Sequence, residues 1–154
     1  MTVQCRVPAS PWMIRLSALG VAVASMGAMA AAQAADRAWT RDQVSQGLQA
    51  LDRAVTVQYV PVPRDAAAVS GRITQVYASR DYAGTARVAT RLCWGSVQGP
   101  CVALQGRSIQ THALDGRPAA GPVLLVHQVI GWGADHPPLF VRGTVTVWFA
   151  DPRR

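Results

Sequence analysis

The sequence contains neither lysine nor glutamate: its 15 basic residues are all arginine and its 8 acidic residues are all aspartate. This restriction matches the codon usage of a GC-rich genome and indicates no particular chemistry. The net charge of +7 arises from arginines that are dispersed along the chain, without a long basic run. We therefore expect no nucleic-acid binding. A chain without glutamate is also poorly suited to supply the pair of catalytic carboxylates that a glycoside hydrolase needs.

Residues that could form a catalytic or metal site are few and dispersed. Ser96 and Ser108 lie in no nucleophile elbow and have no neighbouring base with an orienting acid. The three histidines, His112, His127 and His136, share no metal-ligand spacing. We expect His127 to make one hydrogen bond within a strand and the other two to lie in solvated loops. The sequence predicts a protein that is not an enzyme and carries no metal or other cofactor.

The first 34 residues have the plan of a secretory signal peptide. Arg6 and Arg15 lie in a polar N-terminal region, residues 16–32 are uncharged, and Ala32-Gln33-Ala34 is a small-x-small cleavage motif. The weakly apolar run and the cleavage motif argue against a stable membrane anchor. We predict export to the periplasm, cleavage of residues 1–34, and a single mature domain over residues 35–154.

The stretch Ala86 to Gln105 predicts a β-hairpin held by two cysteines. Side chains alternate between the two faces of a strand. That alternation assigns one apolar face to Val88, Thr90, Leu92, Val102 and Leu104. Cys93 and Cys101 fall together on the opposite face, across the turn Trp94 to Pro100, so a disulfide is the simplest interpretation. Loss of the signal peptide removes Cys5 and leaves this even pair, as expected in an oxidising compartment.

Further strands are indicated by apolar alternation between turn residues. They are predicted at Val55 to Val60, Val69 to Ser79, Val123 to Ile130, Leu139 to Arg142 and Thr144 to Phe149. The uninterrupted apolar run from Val123 favours a central strand buried on both faces, or a buried edge. Gly106 to Pro122 is predicted to be a long polar connection. About six or seven short strands without alternating helices predict an all-β fold, an antiparallel β-sandwich, with a small barrel as the alternative.

Asp36 to Ala54 is the one candidate for a helix. Val44, Leu48 and Leu51 recur at helical spacing, and Thr40 is a candidate N-cap. A loose N-terminal arm is the alternative interpretation.

The tryptophans and two arginines form the candidate interaction surface. Trp94 lies in the hairpin turn, Trp132 lies between two glycines, and Trp148 shares a strand face with threonines. Exposed tryptophans would favour a carbohydrate-binding or peptidoglycan-binding module, whereas burial under loops is the favoured interpretation, because large aromatic residues are normally well buried. With Arg91 and Arg142, these tryptophans are the residues that we expect to contact a partner.

A set of short motifs runs along the mature chain from Val55 onward. In chain order they are Val55-Thr56-Val57-x-Tyr59, Val69-Ser70-Gly71, Arg91-Leu92-Cys93, Cys101-Val102-x-Leu104-x-Gly106, Thr111-His112, VLLVHQVIGWG, Pro138-Leu139-x-Val141-Arg142 and VTVWF. In order and spacing the set resembles the flagellar protein FlhE family, which comprises small exported proteins of proteobacterial flagella.

The resemblance implies a periplasmic, non-enzymatic accessory of the flagellum with a β-sandwich fold. Its partners would be the flagellar type III export gate or rod and hook proteins. Its role would be to limit proton leakage through the gate or to act as a chaperone for periplasmic flagellar parts. The resemblance implies no catalytic residues in this chain. It assigns Cys93 and Cys101 to the disulfide, and Gly106 and His112 to the following loop.

Overall fold

The computed structural model of the protein describes residues 37–62 and 68–150. These residues form eight strands and no helix, so the described part of the chain holds no helix that could cross a membrane. In chain order the strands are β1 (Arg37–Val44), β2 (Val55–Tyr59), β3 (Arg72–Asp81), β4 (Arg87–Trp94), β5 (Cys101–Ala103), β6 (Ser108–Thr111), β7 (Val123–Gly131) and β8 (Arg142–Ala150). The predicted signal peptide, residues 1–34, lies outside the described residues.

The strands form two four-stranded antiparallel sheets. The first sheet has the order β1-β8-β3-β6 and the second has the order β2-β7-β4-β5. Their facing sides share one apolar cluster, to which Val76 and Val145 contribute from the first sheet and Tyr59, Leu92 and Leu125 from the second. Burying each aliphatic side chain of this kind stabilises the fold by about 1.5–3 kcal/mol. The predicted antiparallel β-sandwich is confirmed, with eight strands in place of six or seven.

The predicted N-terminal helix is wrong, because its first half is strand β1. Residues 37–44 pair one by one with β8, and the alternation along the strand buries Trp39. The three apolar residues at helical spacing do not share an environment: Leu48 is fully buried, whereas Val44 and Leu51 are 59% and 42% exposed. Pairing with β8 satisfies the backbone groups, so this tertiary interaction overrides a weak helical pattern.

The connection predicted from Gly106 to Pro122 also contains a strand. Residues 108–111 form β6, which pairs with β3 at the edge of the first sheet. An edge strand needs only one apolar face, and here Ile109 lies opposite Ala78 while Ser108 and Gln110 are exposed. Its mixed polar sequence therefore gives little signal.

The prediction of a central strand from Val123 is confirmed. Strand β7 lies between β2 and β4 in the second sheet. Leu125 points into the sandwich, and Leu124 and Val126 form a small buried cluster with Cys93 on the outer face. Burial on both faces ends towards the C-terminal end of β7, where Ile130 is 52% exposed.

Candidate functional site

The two cysteines of the hairpin form the predicted disulfide. Cys93 and Cys101 are directly opposite in the β4–β5 pair, with Cα atoms 4.1 Å apart and sulfur atoms bonded. They lie on the outer face of the second sheet, since the neighbouring Leu92 belongs to the core. A bridge across eight positions stabilises the fold by about 2.5 kcal/mol on the chain-entropy model. Its role is structural, because disulfide-bonded sulfur is not a free nucleophile.

Trp94 packs against the loop that precedes β7. Its Nε1 donates to the carbonyl oxygen of Pro118 at 3.4 Å, and the guanidinium of Arg117 lies 5.5 Å from the ring centroid. The ring is so close to Gly121 that a Cβ atom there would lie 2.6 Å from Cζ2. Trp94 therefore holds a loop in place, which matches the favoured interpretation from the sequence.

The structure does not bring the five predicted contact residues onto one surface. Arg91 points outward from the second sheet, on the face opposite to that of Trp94. Trp132 is half-buried and packs against a separate apolar cluster at one end of the sandwich. Arg142 and Trp148 share the outer face of β8, six residues apart. A binding surface built from all five is therefore not what the fold presents.

An exposed apolar pair, which sequence reasoning missed, lies where β1 and β8 meet. Val44 is 59% exposed and pairs with Arg142, while Phe140, 54% exposed, lies two residues before Arg142. Since residues two apart share a side of the chain, Phe140 lies on the same side of its segment as Arg142, the partner of Val44. We call these two residues the apolar rim. In the structure Phe140 stands between Leu139 and Val141, which both belong to a buried cluster, but the sequence alone does not show which of the three residues faces solvent.

The backbone under the apolar rim is held by hydrogen bonds on both sides of Phe140. The amide of Ser45 donates to the carbonyl oxygen of Val141 at 2.8 Å. The amide of Leu48 donates to the carbonyl oxygen of Leu139, also at 2.8 Å. Gly47 allows this close approach, because a Cβ atom there would lie 2.7 Å from Cβ of Pro138. The rim is thus a fixed surface and not the tip of a free loop.

An ion pair borders the apolar rim. Nε of Arg142 lies 2.9 Å and 3.0 Å from the two carboxylate oxygens of Asp42, and the hydroxyl of Thr144 donates to the same carboxylate at 3.1 Å. The hydrogen bond from Arg142, aided by that from Thr144, lowers the pKa of Asp42 against the opposing effect of desolvation. The pair leaves a polar border next to two apolar side chains, which is the usual composition of a protein-binding patch.

The middle of the outer face of the first sheet is uncharged. Two rows of paired residues cross it, which we call the neutral face: Ala38, Trp148 and Gln75 in one row, and Thr40, Thr146, Tyr77 and Gln110 in the other. The hydroxyls of Thr40 and Thr146 are 2.9 Å apart and hydrogen-bonded. Trp148 and Tyr77 are half-buried, and Thr40 and Gln110 are exposed.

A polar cluster inside the sandwich joins the two sheets. His127 is fully buried, and its Nδ1 lies 2.9 Å from the hydroxyl of Thr90. Arg80 reaches from the first sheet, donating to the same hydroxyl at 2.9 Å and to the carbonyl oxygen of Val88. Burial, with the charge of Arg80 as a smaller cause, lowers the pKa of His127 to about 4. The single hydrogen bond predicted for His127 is confirmed, and its role is to bridge strands in the core.

The other histidines lie on the surface. Nδ1 of His112 lies 2.8 Å from the carbonyl oxygen of Thr74 and 3.0 Å from a carboxylate oxygen of Asp115, which raise the pKa of His112. His136 is exposed. Among residues 37–62 and 68–150, no group of three histidine, cysteine or acidic side chains is placed to hold a metal ion.

A cleft of about 630 Å³ runs along β1. Its lining includes Trp39 and Phe149 together with Arg37 and Arg41.

Comparison with known proteins gives a family match and matches to solved structures. The model of a family described as flagellar protein FlhE matches residues 48–149. The crystal structure of FLHE is 28% identical to this chain, with a TM-score of 0.61, and the match covers 75% of this chain and 97% of that one. No curated protein matches.

Two more distant structures also match. The crystal structure of a mitogen derived from Yersinia pseudotuberculosis is 8% identical, with a TM-score of 0.38 over 77% of this chain and 90% of that one. The particle of the extra small virus of the giant freshwater prawn Macrobrachium rosenbergii is 16% identical, with a TM-score of 0.30 over 96% and 92%. Likeness at this level carries no argument about function.

Proposed function

The chain belongs to the FlhE family and is a flagellar accessory protein, and from that premise we propose that it binds the flagellar type III export apparatus from the periplasmic side. In this position it limits proton leakage through the export gate. The same contact would serve a chaperone of rod or hook subunits, because both roles need only a surface complementary to another flagellar protein.

The observation that supports this proposal is the apolar rim. Single exposed apolar residues are normal, but Val44 and Phe140 are each more than half exposed, and Phe140 lies two residues before Arg142, which pairs with Val44. Aromatic side chains at the centre of a patch and charged pairs at its border characterise protein-binding sites. Arg142 and Asp42 supply that border here. A fixed backbone lowers the entropy lost on binding. Here the backbone is fixed by the hydrogen bonds that join Ser45 to Val141 and Leu48 to Leu139.

Periplasmic location is part of the proposal. It is supported by the signal peptide predicted at residues 1–34 and by the disulfide, since structural disulfides persist in oxidising compartments. The rigid two-sheet body suits a seal, because a folded domain bound over an opening displaces the water that would carry protons.

The direct test is site-specific crosslinking in cells that assemble flagella. A photoreactive amino acid replaces Phe140, and in a matched control it replaces Val97, which is exposed at the tip of the cysteine hairpin. We expect the Phe140 position, and not the Val97 position, to form an adduct with an export-gate component. An adduct with rod or hook protein alone would favour the chaperone role over the proton seal. Equal or absent adducts at both positions would refute the rim as the contact surface.

A further inference from the structure

We propose that the neutral face binds a glycan strand made of uncharged sugars. This site lies on the outer face of the first sheet and does not depend on contact with the export apparatus. The ligand would stack on Trp148 and Tyr77 and exchange hydrogen bonds with the amides and hydroxyls around them.

The two aromatic residues are placed to act together. Trp148 lies opposite Gln75 in the pairing of β8 with β3, and Tyr77 lies opposite Thr146 one row further. Diagonal neighbours of this kind have Cβ atoms about 7 Å apart, within reach of each other for aromatic side chains. The ring of a sugar presents polarised C–H bonds on one face, and these pack against the electron-rich face of an aromatic ring.

The hydrogen-bonding groups around the aromatic pair suit sugar hydroxyls. Amides offer both donors and an acceptor, and hydroxyls offer one donor with two acceptor positions. Gln110 and Thr40 are exposed at opposite ends of the second row, with Thr146 and Tyr77 between them. Gln75 is oriented at the end of the first row, because its amide nitrogen lies 3.2 Å from Nε2 of His112. A polar group held in place loses less entropy when a ligand binds.

Charge distinguishes this occupant from a peptide or a nucleic acid. None of the seven residues of the neutral face is ionised, although the chain carries a net charge of +7. Three ion pairs surround the face: Arg142 with Asp42 and Arg107 with Asp81 lie towards one end of the sheet, and His112 with Asp115 lies beside Gln75. An anionic polymer would meet no charged side chain along the two rows themselves, whereas an uncharged polymer has no charge to desolvate.

The dimensions of the face also suit an extended polymer. Four strands at a spacing of about 4.8 Å give a width of about 14 Å across the sheet. Four of its seven residues carry an amide or an aliphatic hydroxyl and two are aromatic, which separates the face from the apolar rim, where Val44 and Phe140 carry no hydrogen-bonding side chain. A surface of this composition stays hydrated when free, so it needs no permanent cover.

The test uses the full mature protein with its disulfide intact and a tetrasaccharide of β-linked N-acetylglucosamine as the probe. Binding is followed by the ¹H–¹⁵N resonances of the indole N–H groups, which report each tryptophan separately. We expect the Trp148 resonance to move with a Kd of about 1 mM or below, and those of Trp94 and Trp132 to stay in place. No movement up to about 10 mM, or movement confined to Trp94 or Trp132, would overturn the proposal.

Variants show whether the face carries the binding. Trp148→Ala and Gln110→Ala should weaken it, the first at least about tenfold and the second about threefold. Val97→Ala shortens an exposed apolar side chain outside the face and should leave the affinity unchanged. Gln110 is exposed, so its variant decides the outcome if Trp148→Ala does not fold. Unchanged binding in Gln110→Ala and in a folded Trp148→Ala would refute the site. Because these measurements use purified protein, they are independent of any result at the export gate.

Discussion

Gly143 is predicted to be a position where one added methyl group destabilises the fold. It lies on the inner face of β8, and its lack of a side chain makes room for Tyr59 from the other sheet. In Gly143→Ala the new Cβ would overlap Tyr59 Oη and lie 2.8 Å from Cδ1 of Leu125. Both neighbours are fully buried, so neither can turn into solvent.

The expected magnitude follows from two opposing effects. Replacing glycine by alanine restricts the unfolded chain. This raises the unfolding free energy by about 0.4–1 kcal/mol when the native backbone accepts the change. Overpacking a core costs about 1–3 kcal/mol. The new methyl group meets rigid neighbours, so the destabilisation from overpacking exceeds the gain from restricting the unfolded chain. We expect Gly143→Ala to lower the unfolding free energy by about 1–2 kcal/mol. For a domain of this size the melting temperature should fall by about 3–10 °C.

A double-mutant cycle with Tyr59→Phe tests the physical reason. The hydroxyl of Tyr59 is buried without a hydrogen-bond partner, so its removal alone should be nearly neutral or stabilising. In the Tyr59→Phe background the overlap with Oη is gone, and Gly143→Ala should cost at least about 1 kcal/mol less than in the wild type. Denaturant unfolding followed by circular dichroism measures all four proteins. An equal cost in both backgrounds, or no cost in the wild type, would refute the account of how the sheets pack.

Two further predictions concern the disulfide and the buried histidine. Cys93→Ser should lower the unfolding free energy by about 2.5 kcal/mol and reduce the amount of protein in the periplasm, and equal melting temperatures for oxidised and reduced wild type would contradict this. The pKa of His127 is about 4 in the fold against an ordinary value of 6.5, so its neutral state stabilises the fold fully above pH 6.5. That stabilisation should be lost as pH falls from 6.5 towards 4, by at most about 1.4 kcal/mol per unit. Unfolding free energies measured across this range should fall less steeply for His127→Gln, and parallel curves would exclude His127 as the cause.

The core of the second sheet could be predicted from the sequence because its signals are local. Alternation along Val88, Thr90 and Leu92 predicts which side of β4 is buried, and the same alternation places both cysteines on the other side. The apolar run of β7 predicts its central position. In each case a few consecutive residues contain the whole pattern.

The first sheet was harder to predict because its signals depend on residues far apart in the chain. Strand β1 is recognised as a strand only through its pairing with β8, about a hundred residues later, and in isolation Val44 and Leu48 suggest a helix. Strand β6 is short, polar and at an edge. The neutral face combines residues of β1, β3, β6 and β8, so no single stretch of sequence contains it.

The surroundings of the candidate contact residues also depend on residues far apart in the chain. Composition picks out tryptophans, but only the fold shows that Trp94 supports a loop and that Trp148 lies on an open face. Phe140 follows Pro137, Pro138 and Leu139, so no regular alternation precedes it. Its exposure follows from the ladder of residues 45–48 with residues 139–141, which a local pattern does not reveal.

The measurement that tests the central proposal most directly is cytoplasmic pH, read with a pH-sensitive fluorescent protein in cells building flagella. Four strains are compared, in which the gene is intact, deleted, restored as Phe140→Asp, or restored as Val97→Asp. We predict acidification in the deletion and Phe140→Asp strains, normal pH in the other two, and no acidification in any strain that lacks the export gate. Unchanged pH in the deletion strain, or full restoration by Phe140→Asp, would contradict a proton seal made through the apolar rim.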